Sequence, residues 1–514
     1  MRGIYTNVND IRKRVFSEVA RLSYEYKEDM DLEQMRQIPY NVIPGILSSY
    51  RESAFLERAI VRERIRLAMG LEVQSHDGYI SMTADADKAA KPETYYEPPL
   101  VNVIKFACHK CPDNVMKVTD ACQGCLAHPC KEVCPKGAVS IYDGRSHIDP
   151  EKCIKCGKCK DACAYGAILK MERPCVKACG VKAIHQDENG AADIDQSKCV
   201  SCGQCMANCP FGAIADKAQI FQTIQALRSD VPVYAAVAPA FVGQFGPDMT
   251  PQRLRSAFKA LGFEDAVEVA IGADLCTIQE AESFLKEVPE EMPFMATSCC
   301  PAWSAMAKRD FPEQGKCISM ALTPMVFTGR LIKKEHPNCK VAFIGPCSAK
   351  KLEAMRRSIR SDIDFVLTFE EVMGMFDAKD VNFAELEEDH SMHGASADGR
   401  GFAVGGGVAH AVSEYIKENH PEVEVKMERA DGLDNCRKML MMAKTGKYNG
   451  YLLEGMACPG GCVAGAGTIQ PIAKSTKAVA DAMKGSTHKH SSTSIYADVL
   501  SSLEEKDTQA PEED

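Results

Sequence analysis

The chain has 514 residues, is 45% hydrophobic and 26% charged, and carries a formal net charge of −10. That length corresponds to about three domains, and the composition is that of an ordinary globular protein able to build real cores. The acidic balance gives no support for a nucleic-acid partner, which would want a basic patch. No run of about 18 apolar residues is present to span a membrane, and the opening MRGIYTNVNDIRKRVF lacks the apolar segment of a secretory signal.

The expected fold is multi-domain α+β. Residues 1–95 contain no cysteine and read as a helical N-terminal domain. Val8, Ile11, Val15, Val19 and Leu22 recur at helical spacing, as do Val61, Ile65, Ala68 and Met69, the stripe of an amphipathic helix. Pro39 and Pro44 separate the two patterns. Such a stripe marks a packing or docking element and says nothing of chemistry.

Residues 96–218 hold 16 of the 25 cysteines. Grouping in C-x-x-C units points to metal in a reducing cytoplasm rather than to disulfides. Two runs share the spacing C-x2-C-x2-C-x3-C: Cys153, Cys156, Cys159 and Cys163, then Cys199, Cys202, Cys205 and Cys209. A variant run holds Cys122, Cys125, Cys130 and Cys134, a half-repeat holds Cys175 and Cys179, and Cys108 and Cys111 stand upstream. The regular spacing is that of two-cluster ferredoxins, in which three cysteines of a run wrap one cubane and the fourth ligates the other cluster. Pairing the two regular runs puts Cys153, Cys156, Cys159 and Cys209 on one cluster, and Cys199, Cys202, Cys205 and Cys163 on another. Cys122, Cys125 and Cys130 form a third nest, closed by Cys179, and Cys108, Cys111, Cys134 and Cys175 a fourth. Zinc on Cys108 and Cys111 is the alternative there. Two to four 4Fe–4S clusters in series read as an electron relay.

Residues 225–485 change texture. PVYAAVAPAFVG, KVAFIGPC and NGYLLEGMAC each run apolar into a Gly/Pro-rich turn, as buried parallel strands do. Helical patterns at residues 277–285 and 321–334 fall between them, which argues an α/β domain. Three loops there bear cysteine: TSCCPAW at residues 297–303, GPCSAKKLE at 345–353 and EGMACPGGC at 454–462. They offer Cys300, Cys347, Cys458 and Cys462 as four thiolates, with Cys299 over. Residues 486–514 are polar and read as a disordered tail; His488 and His490 within it read as solvated rather than metal-binding. Cys276, Cys317, Cys339 and Cys436 read as buried free thiols.

These three loops, with VAPA at residues 237–240 and GGGV at 405–408, resemble the signature of the iron-only (FeFe) hydrogenases, and the 16-cysteine region resembles that family's accessory ferredoxin domains. The resemblance implies a two-lobed α/β catalytic domain holding an H-cluster, a 4Fe–4S cubane joined through a cysteine sulfur to a di-iron unit with CO, cyanide and azadithiolate. By position, Cys300, Cys347, Cys458 and Cys462 hold the cubane, with Cys462 bridging. Cys299 is the proton-relay thiol, Lys350 pairs with a cyanide, Met456 packs by the di-iron unit, and Pro239 and Pro346 line the pocket. The implied activity is 2H⁺ + 2e⁻ ⇌ H₂, with ferredoxin or another low-potential carrier and hydrogenase maturation proteins as partners, in the cytoplasm.

Four departures stand out. Gly345 stands where many members carry methionine, Ala240 where members carry serine or alanine, so a serine hydrogen bond to cyanide is absent, and Met325 where many carry glutamine. The two glutamates of the family's proton path fall at Ala281 and Phe284, while Ser319 is retained. Glu280 and Glu282 lie near but at other helical angles, about 100° per residue, so another proton route, through water, is expected, with Cys276 a candidate in it. The pattern resembles the group B branch. The alternatives are a non-catalytic hydrogenase-like assembly or scaffold protein, which retains similar cysteines, and a hydrogen sensor acting with a separate partner.

Overall fold

A computed structural model describes residues 5–27, 33–74, 78–389 and 394–504. The first elements are the helices Asn7–Glu25, Glu33–Val42 and Ala54–Ala68. Thr6 and Ser53 cap the first and third by accepting the amides of Asn9 and Leu56, satisfying donors that a helix start leaves open. Pro39 does not break the pattern as expected. It lies inside the second helix, forgoing one backbone bond, while Ile38, Val42 and Ile43 beside it are buried.

These helices are not a domain of their own. Val15, Val19, Ile38 and Ile65 share one core with Phe221, Val237, Ile344 and Phe369 of the C-terminal half. The Ser17 hydroxyl donates to the Gly374 carbonyl at 3.2 Å, on the helix Phe369–Ala378. The stripe read from the sequence is therefore packed against the C-terminal half.

The cysteine-rich region folds as two modules. In the first, strands β2 (Val115–Val118) and β5 (Ile168–Met171) pair antiparallel around the hairpin β3 (Val139–Tyr142) and β4 (Arg145–Ile148). In the second, β1 (Val101–Val103) pairs with β8 (Ile214–Asp216) around the hairpin β6 (Ile184–Gln186) and β7 (Ala192–Ile194). The second module is thus interrupted by the first, which projects between Cys111 and Arg173.

The C-terminal half holds two parallel sheets. One has the order β10 (Asp265–Glu268), β9 (Val233–Val237), β12 (Lys340–Gly345), β13 (Phe365–Thr368); the other is β11 (Met295–Ala296), β15 (Tyr451–Met456), β14 (Lys426–Asp431). β9 and β13 are buried throughout, which is why they read as unbroken apolar runs. The helices Ala270–Glu287 and Pro324–Glu335 cross closely: a Cβ on Gly272 would sit 2.3 Å from the Pro324 carbonyl. Among the described residues, no helix is long and apolar enough to cross a membrane.

The expectation of a disordered tail from residue 486 is corrected for its described part; residues 505–514 lie outside the described residues. The Ala397 and Asp398 amides donate to the carbonyls of His488 and Lys489, at 2.9 and 3.2 Å. Ser491 donates to the buried Asp274 at 2.8 Å, and the His490 ring meets Asp398 at 3.2 Å and Glu418 at 3.4 Å. Arg330 holds the Leu503 carbonyl at 2.7 Å. Polar composition misled because these side chains satisfy buried carboxylates rather than water.

A buried ion cluster ties the parts together. Lys351 Nζ, fully buried, meets Asp216 of β8 at 2.8 Å, Glu371 at 2.6 Å and the Lys217 carbonyl at 2.7 Å. Burial pulls this ammonium down, but Asp216 and Glu371 push it up by more, so it stays charged. Replacing Lys351 with methionine strands two carboxylates, and breaking such a pair costs about 3–5 kcal/mol. Chemical denaturation of Lys351→Met should show a loss of that order; a change within 0.5 kcal/mol, in the range of an ordinary surface substitution, would show the cluster to be incidental.

Candidate metal centre

Each accessory repeat ends in the same local structure. After Cys134, Cys163, Cys179 and Cys209 the chain turns through a left-handed residue: Gly137 (φ 57°), Gly166 (φ 60°), Lys182 (φ 53°) and Gly212 (φ 58°). The turn lets the amides of Ala138, Ala167, Ala183 and Ala213 donate back to those four sulfurs at 3.3, 3.4, 3.2 and 3.4 Å. Such bonds favour the thiolate and tune a cluster's potential. The half-repeat at Cys175 and Cys179 is therefore a complete structural unit.

The cysteines assort by module, and this corrects the expected pairing. In the second module Cys205 stands near Cys202, Cys199 and Cys179. Cys108, Cys111, Cys175 and Cys209 line one small cavity with Val103 and Ile214. In the first module Cys134 adjoins Cys153 and Cys159, with Cys156 on the same loop. Cys122 and Cys130 both meet Ser146, at 3.4 and 3.5 Å, leaving Cys125 and Cys163 to complete that set. Cys209 thus does not close the Cys153 nest, Cys163 does not close the Cys199 nest, Cys179 does not close the Cys122 nest, and Cys134 does not join Cys108. The cause is strand pairing: the β2–β5 and β1–β8 ladders each bring one regular run against an irregular one.

The C-terminal loops leave the carboxyl ends of their strands, where open α/β sheets place their sites. β9 delivers Pro239, β12 delivers Pro346 and Cys347, β11 delivers Cys299 and Cys300, and β15 ends in Met456 before Cys458 and Cys462. All eight, with Lys350, line one cavity of about 80 Å³. The Pro-x-Trp of the first loop is structural. Trp303 is fully buried, donates to the Thr297 carbonyl at 3.1 Å, and lies where a Cβ on Gly455 would fall, 2.3 Å from its ring. GGGV and Glu454 form one lock: the Gly406 and Ala409 amides donate to the Glu454 carboxylate at 2.7 and 2.8 Å, at the start of the helix Gly407–Asn419.

The electrostatics fit a cluster. Burial, with neighbouring thiols adding, pushes Cys347 and Cys462 up to about 12, and burial raises Cys300. Soft sulfurs that burial keeps neutral in a dry pocket ionise when a metal supplies the compensating charge, and thiolates suit low-valent iron. The donor set therefore fits a four-iron cubane. Burial pulls the Lys350 ammonium down, but Glu353, 2.7 Å away, with Cys299 and Cys462 raises it by more, leaving a buried cation at the cavity wall.

Cys299 has a neighbour that helical angles had ruled out. Glu280 is fully buried, and its Oε1 accepts the Ser298 amide at 3.0 Å and the Ser298 hydroxyl at 3.3 Å. Its Oε2 is buried without a hydrogen bond, with Ser319 near enough to favour the charged form. Burial outweighs these donors and pushes the carboxyl up to about 7. The same carboxyl raises Cys299, whose thiol burial already holds well above its usual range. The glutamate stem spans the angle that an ideal helical wheel denies it, and Cys276, one turn earlier, is buried against it. Ser319 stands against the Glu280 carboxyl rather than among the residues lining the cavity. Cys317, Cys339 and Cys436 are buried thiols, the last donating to the Ala430 carbonyl at 3.2 Å.

Comparison with known proteins follows this geometry. Residues 231–466 match the family model for the C-terminal domain of the iron only hydrogenase large subunit. Residues 169–220 match the LdpA Fe–S cluster-binding domain, and 145–168 a 4Fe–4S binding domain. The chain is 30% identical over 395 residues to iron hydrogenase 1 of Clostridium pasteurianum, spanning 66% of this chain and 68% of that protein. The chain belongs to the iron-only hydrogenase family. Within that family's wider circle it is also similar to the nuclear prelamin A recognition factor of Homo sapiens, 27% identical over 317 residues, 51% of this chain and 67% of that one. An apo FeFe hydrogenase from Chlamydomonas reinhardtii is 21% identical, with a TM-score of 0.45 over 55% of this chain and 93% of that one.

Iron counts on this iron-only hydrogenase chain check the partition. Cys175→Ala and Cys209→Ala should each remove about four irons, and the double variant no more, because both serve one cubane. Cys153→Ala with Cys209→Ala should remove about eight; four would restore the pairing of the regular runs.

Proposed function

We propose that the chain is a hydrogenase enzyme catalysing 2H⁺ + 2e⁻ ⇌ H₂. The observation that carries this reading is Cys299. It is a fifth cysteine on the cavity, outside the four-thiol set, and backed by the only carboxyl near it that is pushed to about 7, Glu280. A scaffold needs the four ligands; it has no use for a thiol and a carboxyl poised together. Cys300, Cys347, Cys458 and Cys462 would hold the cubane of an H-cluster, with Cys462 bridging to its di-iron unit. When bound, that group supplies the centre at which protons and electrons combine. Lys350 places a fixed cation at the cavity wall for an anionic ligand. Pro239, Pro346 and Met456 keep the pocket apolar and exclude water. Cys299 holds and passes a proton at its sulfur, and Glu280 reloads it, with Ser298 and Ser319 orienting the carboxyl. Gly345, Ala240 and Met325 support placement in the group B branch.

The second reading is a non-catalytic iron–sulfur assembly role, favoured by the similarity to the nuclear prelamin A recognition factor. Infrared spectra after loading a synthetic di-iron precursor separate the two: CO and cyanide bands with H₂ evolution are expected, and intact cubanes with neither would establish the assembly role. Glu280→Gln should lower H₂ evolution about 100-fold, the scale of a positioned acid–base group, with the bands unchanged. In the unsubstituted protein evolution should fall as pH rises through about 7, because Glu280 then loses the proton it donates; a flat profile there would remove Glu280 from the route.

Electron entry is supported at the first module. Of 25 cysteines only Cys156 is exposed. Lys136, Lys155, Lys158 and Lys160 are exposed around its loop and meet no carboxylate among the described residues, and Ile154 is 55% exposed beside them. Residues 115–171 carry nine Lys and Arg against six Asp and Glu, on a chain of net charge −10. The surface suits an acidic, low-potential protein carrier such as a ferredoxin, met in the cytoplasm. Lys155→Glu with Lys158→Glu should slow reduction by an acidic ferredoxin about tenfold at low ionic strength, within the range of electrostatic steering, and leave reduction by a viologen unchanged. Equal slowing by both donors would place entry elsewhere.

A further inference from the structure

One side chain joins the two halves of the electron path. Gln204 opens the short helix Gln204–Asn208, between Cys202 and Cys205, and is buried. Its Nε2 donates to Cys458 Sγ at 3.1 Å, across the boundary between the second module and the catalytic half. The contact is enforced by the backbone. Gly203 has φ 72°, and a Cβ there would fall 2.5 Å from the Ala466 side chain and 3.3 Å from Ser348 Oγ. Ser348 in turn donates to Asp216 of β8 at 2.7 Å. The loop of one four-cysteine set is thus pressed onto the loops of another, and Cys202 lies close enough to Cys347 for their charges to interact.

We propose that Gln204 is a positioning residue that raises the reduction potential of the cubane held by Cys300, Cys347, Cys458 and Cys462. This rests on the reading that those four cysteines hold a cubane, but not on the presence of the di-iron unit. An amide N–H donated to a ligating sulfur stabilises the more negative, reduced state, because a hydrogen bond to a charged acceptor is about twice as strong as a neutral one. Hydrogen bonds to the sulfurs are among the determinants of cluster potential. A glutamine suits the place: its amide carries two donors and no charge, so it serves the sulfur without adding an ion to the interface. It is carried by the very loop whose flanking cysteines belong to the neighbouring nest, so the side chain that tunes the cubane also fixes its spacing from its electron donor.

The test uses the full chain reconstituted with iron and sulfide, without the di-iron unit, and an EPR-monitored redox titration. The cubane's signal is identified by its loss in Cys458→Ala. In Gln204→Leu and Gln204→Met, which keep the bulk and remove the donor, the reduced-to-oxidised ratio at a fixed potential should fall about threefold or more. That is close to 30 mV at 59 mV per tenfold. The signals of the first module should not move. If one variant loads poorly the other decides, and an unchanged potential with full iron content overturns the assignment. Absence of any signal dependent on Cys458 in the unsubstituted chain would overturn the four-cysteine reading itself, and this inference with it.

Discussion

The structure depends on one buried cation. Lys351 sits where four segments meet: β8 of the second module through Asp216, the segment after β12 that carries it, the helix after β13 through Glu371, and the N-terminal region through Tyr96, whose ring lies 5.7 Å from Nζ. An isolated charge in such a place would cost several kcal/mol, and paired charges repay this only with good geometry and further hydrogen bonds. Here Asp216 also accepts from Ser348, and Glu371 closes a capping box with Thr368. The adjacent Lys350 points the other way along the same short helix, into the cavity. Neighbouring residues on a helix diverge by about 100°, so one dipeptide supplies both the clamp that fixes the Cys347 loop and the cation that faces the site.

The site that this clamp positions is a problem in charge compensation. Five thiols share a dry cavity, and burial raises Cys299, Cys300, Cys347 and Cys462, which means that the protein alone does not stabilise those anions. The backbone amides reaching Cys347 and Cys300, at 3.3 and 3.5 Å from Ala349 and Ala457, are too few to do so. A metal cluster completes what burial leaves undone. Cys299 differs in having a carboxyl rather than an amide behind it, so its environment favours the protonated thiol over the anion. On the proposed reading, ligand and relay would be separated by what stands behind each sulfur.

Much of this was legible in the sequence, and the exceptions have physical causes. Spacing within a run is local chemistry, so C-x2-C-x2-C-x3-C located the ferredoxin-like region and the three short loops located the cavity. Which run faces which is set by antiparallel ladders between residues far apart, such as Val115 with Met171 and Val101 with Asp216, and spacing does not encode that. The repeated Gly/Lys-Ala-apolar turn after Cys134, Cys163, Cys179 and Cys209 was the available signal, since it marks four equal units rather than two and a remainder. Glu280 was set aside on a helical wheel that counts angles at the Cα and ignores a three-bond side chain. The segment at His488 and His490 was read from polarity alone, without the buried Asp274 and Asp398 that need those groups.

Two different elements back the cavity on the two sides that the proposed reaction would need, and this follows from the fold rather than from the cofactor. On the proposed reading electrons would arrive along cysteine loops of the second module, which touch the site through the Gln204 bond to Cys458. Protons would arrive along the helix Ala270–Glu287, whose Glu280 stands next to Cys299. The first contact is pinned by Gly203 and the Lys351 cluster, the second by the close crossing at Gly272. Neither path shares a side chain with the other, so the potential of the cubane and the proton affinity of the relay can be set independently. A site that must exchange both particles near equilibrium needs that independence. Here it rests on two glycines, at which a Cβ would collide, and on one buried lysine.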